Sequence, residues 1–137
     1  MIGAVVVCHG ALATELVRAA EIIVGKIDGI VAVDIPPSMG MEEIHAALEG
    51  AVRTVDDGNG VLLMTDMFGG TPSNISLSYL GTHPVEVVTG VNLPMMVKFP
   101  IARGTMPLAE LAGHLQECGV RSIMIPGDML KKKRDKK

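Results

Sequence analysis

Residues 61–72 read Val61-Leu62-Leu63-Met64-Thr65-Asp66-Met67-Phe68-Gly69-Gly70-Thr71-Pro72. The first five are apolar or β-branched with no polar alternation, which predicts a strand over Val61–Thr65 buried on both faces. Asp66 ends that strand and the paired glycines turn the chain. Thr71-Pro72 then opens a helix to about Leu80, with Thr71 as its N-cap and Pro72 at its first helical position. A doubly buried strand that turns sharply into a helix is the repeating unit of a parallel sheet with right-handed crossovers.

The same grammar extends in both directions. Ile2–Cys8 is a second continuous apolar run, followed by a helical stripe over Ala11–Val24 that Gly25 stops. Ile30–Ile35 reads as a strand closed by Pro36-Pro37, and Met41–Val55 as a helix with Ile44, Leu48, Ala51, Val52 and Val55 on one stripe. After the turn Asp57-Gly58-Asn59-Gly60 and the central segment come a strand over Val85–Thr89 and helices over Leu93–Ala102 and Leu108–Cys118. Arg121–Ile125 reads as a last strand, cut off by Pro126-Gly127, with an antiparallel edge or a second subunit as its possible partner. The expectation is an α/β, doubly wound, mainly parallel sheet of order 2-1-3-4 with helices on both faces. One domain is expected over 1–130, followed by a basic tail over 131–137.

In that strand order the ends of the first and third strands are neighbours at the topological switch point, where such sheets bind ligands. The first ends in Cys8-His9-Gly10 and the third in Thr65-Asp66. An imidazole and a carboxylate therefore meet beside the glycine-opened helix start at Gly69, Gly70 and Thr71, a place that suits an anion. A carboxylate that accepts one ring N–H leaves the other nitrogen free to attack and stabilises the charge that grows on the ring. Phosphoryl transfer needs mostly positioning and N–H donors, so this constellation suits a phosphohistidine without a metal or another cofactor. Cys8, alternating away from His9, is expected in the apolar core.

Other chemistries are poorly served. No GxxxxGK[ST] loop accompanies the apolar run that ends in Asp66, and His9-Gly10-Ala11 is not a dinucleotide fingerprint. His45 should lie on the polar side of its helix, His83 in a turn before Pro84 and His114 on the last helix, none at metal-ligand spacing. Aromatics amount to 2% of the chain, Phe68, Tyr79 and Phe99, too few to stack nucleic-acid bases or sugars. Residues 1–130 hold six Lys/Arg and 14 Asp/Glu, a net of −8 that argues against binding nucleic acid. Residues 131–137 hold six bases and one acid, and are expected to be disordered and solvated, with a weak membrane-surface or acidic-partner contact as the alternative. At 137 residues the chain can bury roughly two thirds of its unfolded surface without staples. Cys8 and Cys118 make no disulfide framework, and the short apolar start lacks a signal peptide's layout. With no spanning stretch either, a cytoplasmic protein without stable membrane insertion is expected.

Three segments carry a resemblance to a family. They are Val5-Val6-Val7-Cys8-His9-Gly10, Leu63-Met64-Thr65-Asp66-Met67-Phe68-Gly69-Gly70-Thr71-Pro72-Ser73-Asn74 and Gly90-Val91-Asn92-Leu93-Pro94-Met95. In order and spacing they resemble the IIA domain of the mannose/fructose/sorbose class of the bacterial phosphoenolpyruvate-dependent sugar phosphotransferase system. The resemblance covers about residues 1–126. It implies a protein-histidine phosphotransferase component in which His9, through its ε nitrogen, accepts a phosphoryl group from phospho-HPr and passes it to a IIB component. It also implies that Asp66 holds the δ nitrogen and that the backbone around Gly69, Gly70 and Thr71 holds the phosphoryl group, to which Gly10, unobstructed after His9, is added from the residues themselves. A homodimer that exchanges the segment Arg121–Ile125 is implied as well. Met67 stands where some members have Thr, which removes one hydroxyl contact, and the basic tail stands in place of a linker and IIB domain, so IIB would be a separate protein. Two other uses stay open: a regulatory module whose contacts change with His9 phosphorylation, and the phosphotransfer subunit of a dihydroxyacetone kinase.

Overall fold

A computed structural model describes residues 1–81 and 84–135. Strand β1 (Gly3–His9) leads to α1 (Leu12–Val24), β2 (Ile30–Ile35), α2 (Met41–Val55), β3 (Val61–Thr65), α3 (Thr71–Leu77) and β4 (Val85–Thr89), followed by α4 (Leu93–Ala102), α5 (Leu108–Arg121) and α6 (Pro126–Asp135). The four strands form one all-parallel sheet in the order β2-β1-β3-β4, as the sequence reading expects.

Strand alternation divides the interior into two cores. Ala4, Val6, Cys8, Leu62 and Met64 point to one face and pack with residues of α1, α4 and α5 such as Ala20, Phe99, Leu111 and Leu115. Val5, Val7, Val61 and Leu63 point to the other, against Ile44, Leu48, Ala51, Val52 and Val55 of α2 and Ile75 of α3. Every residue from Val61 to Thr65 is fully buried, so both faces are covered, as the unbroken apolar run requires. Each fully buried Leu or Val contributes ~1.5–3 kcal/mol relative to exposure. The sheet's tight fit shows at Gly3, where a Cβ would stand 2.3 Å from the carbonyl oxygen of Val55 at the end of α2.

Four expectations are corrected. Arg121 closes α5, and Ser122–Ile125 form no strand; Ile123, Met124 and Ile125 are instead 78%, 56% and 67% exposed. A strand exists through its ladder, and this chain gives that segment no neighbour to pair with. The basic run is not disordered through residue 135 but lies within α6, where Pro126 starts the helix and Asp128 sits in its first turn. Lys132, Lys133 and Arg134 in the last turn complement the helix dipole and are good helix formers. Helix α3 is shorter than expected. The Ser76 and Ser78 hydroxyls donate to the carbonyls of Pro72 and Ile75, and residues 78–80 tighten into three-residue turns. Its N-cap is Gly70, with Thr71 already helical.

Candidate functional site

The parallel register brings the carboxyl ends of β1 and β3 level, since Val7 faces Thr65. His9 is the last residue of β1, and Asp66 follows β3 directly. One oxygen of Asp66, Oδ2, accepts the backbone N–H of His9 at 2.9 Å and lies 2.8 Å from Nδ1 of its ring. The other, Oδ1, accepts the Met67 N–H at 3.0 Å. Partial burial alone would raise the Asp66 carboxyl, but the bonds from His9 and Met67 outweigh it and hold the group below its ordinary value. An ionised carboxylate at Nδ1 can only accept, so Nδ1 carries the hydrogen, and in the neutral ring Nε2 is then the nitrogen with the lone pair. The imidazole is half exposed at 49%, whereas Asp66 is only 13% exposed. An accessible imidazole thus rests on a largely buried carboxylate.

Small residues frame the ring. Gly70 has an ordinary φ of −84°, so backbone freedom is not why glycine stands there. Space is: a Cβ would lie 2.7 Å from Cε1 of His9 and 3.3 Å from Nε2. Gly10 and Gly69 do need the left-handed region, with φ of +59° and +87°. Gly10 also donates its N–H to the Ile35 carbonyl at 2.9 Å. The chain enters α3 with no side-chain cap, and the first-turn N–H of Thr71 has no intrahelical acceptor. Gly70 thus stands against the Cε1–Nε2 edge of the ring.

The third segment braces this arrangement from behind. The N–H groups of Gly90 and Val91 both donate to the carbonyl of Thr65 at 2.9 Å, fixing the residue before Asp66. Asn92 caps α4 by accepting the Met95 N–H at 3.3 Å, and its amide donates to the Gly119 carbonyl at 3.0 Å, which ties α4 to α5.

One residue is absent from the sequence reading. Asp34, facing Cys8 across the β1–β2 pair, accepts the Thr14 N–H at 3.0 Å and the Thr14 hydroxyl. Ala11 offers no side-chain cap, so the carboxylate from β2 caps α1 instead and holds the turn after His9. The only signal was a lone acid inside the apolar run Ile30–Ile35. Cys8 is fully buried, and burial, then the nearby Asp66 and Asp34 charges, push its thiol to about 12. It belongs to the core, not to the site. His45 is exposed on α2 and His114 half-buried on α5, both apart from His9 on other elements, and His83 lies outside the described residues. No group of three His, Cys, Asp or Glu among the described residues could hold a metal ion.

Comparison with known proteins gives three kinds of match. The profile of the family described as PTS system fructose IIA component matches residues 3–116. The PTS system fructose-specific EIIA component of Bacillus subtilis (strain 168) is 25% identical over 96% of this chain and 91% of its own length. The PTS system mannose-specific EIIAB component of Escherichia coli (strain K12) is 30% identical over 89% of this chain, which spans only 39% of that protein. The solved mannose/sorbose specific IIA subunit of the phosphotransferase system from Enterococcus faecalis superposes with a TM-score of 0.82 at 27% identity, covering 90% of this chain and 93% of that one.

Proposed function

The chain belongs to the family of PTS fructose IIA components, and from that membership and the His9–Asp66 pair we propose that it is a sugar-phosphotransferase phosphocarrier working through His9. Its donor is phospho-HPr and its acceptor a IIB component. The observation that carries this reading is the 2.8 Å contact between His9 Nδ1 and Asp66 Oδ2 at the switch point of the sheet, with Gly70 against the opposite edge of the ring.

The step begins with His9 neutral. The Nε2 lone pair attacks the phosphorus of the donor's phosphohistidine as that donor's N–P bond breaks, and the electrons of that bond return to the donor imidazole. Positive charge grows on the His9 ring, and the Asp66 carboxylate, already bonded to Nδ1–H, balances it without taking the proton. The three phosphoryl oxygens lie toward the N–H groups around Gly69, Gly70 and Thr71, which act by position and charge. Transfer to the IIB component reverses the same step. Met67 and Phe68, 57% and 72% exposed directly after Asp66 in the chain, give the partner proteins an apolar rim to seat on.

Homodimerisation is part of the proposal. Among the described residues the outer edge of β4 is unpaired in the sheet, and a groove of about 380 Å³ runs between it and α5, where Ala109, Ala112 and Gly113 leave room for a strand. The exposed segment Arg121–Ile125 of a second copy would fill it and remove an apolar liability from the surface.

The test is incubation with phosphoenolpyruvate, enzyme I and HPr, read by intact mass, followed by addition of a IIB protein. One phosphate per chain is expected, lost again to IIB. No uptake, or uptake undiminished in His9→Ala, would remove the proposal.

A further inference from the structure

Helix α6 is a surface element with an uneven face. All described side chains from Ile123 to Arg134 are exposed, so the helix is not buried against the fold. At 100° per residue, Met129, Lys133, Leu130 and Arg134 share one side, while the acid Asp128 lies on the opposite side between Lys131 and Lys132. Met129, Leu130, Lys132 and Lys133 line a single depression of about 340 Å³, so apolar and basic groups form one continuous surface. Six of the chain's 12 Lys/Arg lie within residues 131–137, against a net charge of −8 over residues 1–130.

We infer that α6 is an electrostatic docking element for an anionic lipid surface, which it meets lying flat with Met129, Leu130, Lys133 and Arg134 toward the headgroups. The charge pattern selects that occupant. A basic cluster is drawn to an anionic bilayer while the acidic body is repelled from it, so the surface itself orients the protein with α6 down. Two apolar side chains placed among the bases favour a lipid interface, where Met129 and Leu130 can enter the headgroup region beside the lysines. No helix among the described residues is long and apolar enough to cross a membrane, so the contact is peripheral and reversible. The inference needs no phosphotransfer chemistry and stands whether or not His9 is a phosphate carrier.

Co-sedimentation of the full chain with vesicles tests it, using phosphatidylcholine alone and phosphatidylcholine containing phosphatidylglycerol. Roughly tenfold more bound protein is expected on the anionic vesicles. That excess should vanish at about 1 M salt, where the screening length is ~3 Å, and in the variant K131E/K132E/K133E/R134E. These positions lie outside both cores, so circular dichroism should show the variant folded. Met129→Ser with Leu130→Ser should weaken vesicle binding several-fold while leaving binding to soluble polyglutamate unchanged. Equal partition onto both vesicle types, no binding to either, or binding that survives the charge reversal would overturn the inference. Binding to polyglutamate without binding to vesicles would overturn it too, by assigning the helix to an acidic protein.

Discussion

At the scale of single residues, Asp66 and Gly70 do different things to the same imidazole. Asp66 fixes the tautomer and balances charge, so Asp66→Asn should retain the fold yet slow phosphoryl uptake by about 10²–10⁴; stopped reactions analysed by mass give the rate, and an unchanged rate would dissociate the pair from the chemistry. Gly70 keeps the ring in place by having no Cβ, since one would stand 2.7 Å from Cε1. Gly70→Ala should therefore cost about 100-fold in rate through a misplaced ring, with little change in Tm because the flexible side chain can give way. Equal losses in rate and Tm would mean that the glycine serves the fold alone. The Asp66 pairing also has a pH signature. Its folded carboxyl is depressed, so its stabilisation is present above the unfolded value of about 3.9 and is lost as pH falls through the lower folded value. The stability gap between the protein and Asp66→Asn, read from urea midpoints, should shrink below about pH 4; a gap constant with pH would contradict the pairing.

At the scale of elements, legibility followed locality. The stretch Val61–Thr65 announced a doubly covered strand through composition alone, and α2 showed its buried stripe through spacing, residue for residue. His9 and Asp66 could be paired on paper because strand order, a topological rule, fixes which strand ends are neighbours. Asp34 stayed hidden because its work is tertiary. Nothing within β2 says that its carboxylate caps a helix that begins some twenty residues earlier. Asp34→Ala should accordingly destabilise the fold by about 1–2 kcal/mol through a lost cap and an unpaired Thr14 hydroxyl, measured by urea unfolding; a change within error would mean that solvent caps α1 equally well. Segment 121–125 forms no strand within the single chain for the complementary reason, since β-branched content makes a strand only where a neighbour supplies the ladder. The basic run was read by charge alone, which overlooked Pro126 and Asp128 as helix-starting signals.

At the scale of the whole molecule, the chain keeps an acidic body and a basic helix apart and, among the described residues, leaves the outer edge of β4 open. Sedimentation velocity should find a dimer, and Ile123→Lys with Ile125→Lys should yield monomers, because both side chains are exposed in the single chain and would be buried in the exchange. A monomeric parent would remove that part of the proposal. Deleting residues 131–137 should leave the solution rate of phosphoryl uptake within about twofold, since none of the described residues of that stretch is a hydrogen-bond partner of His9 or Asp66. The central claim concerns a single atom, and nitrogen-15 NMR of the phosphorylated, histidine-labelled protein addresses it directly. Phosphorus should be found bonded to Nε2 of His9, with Nδ1 still carrying hydrogen toward Asp66. Phosphorus on Nδ1, or on any residue other than His9, would contradict the account.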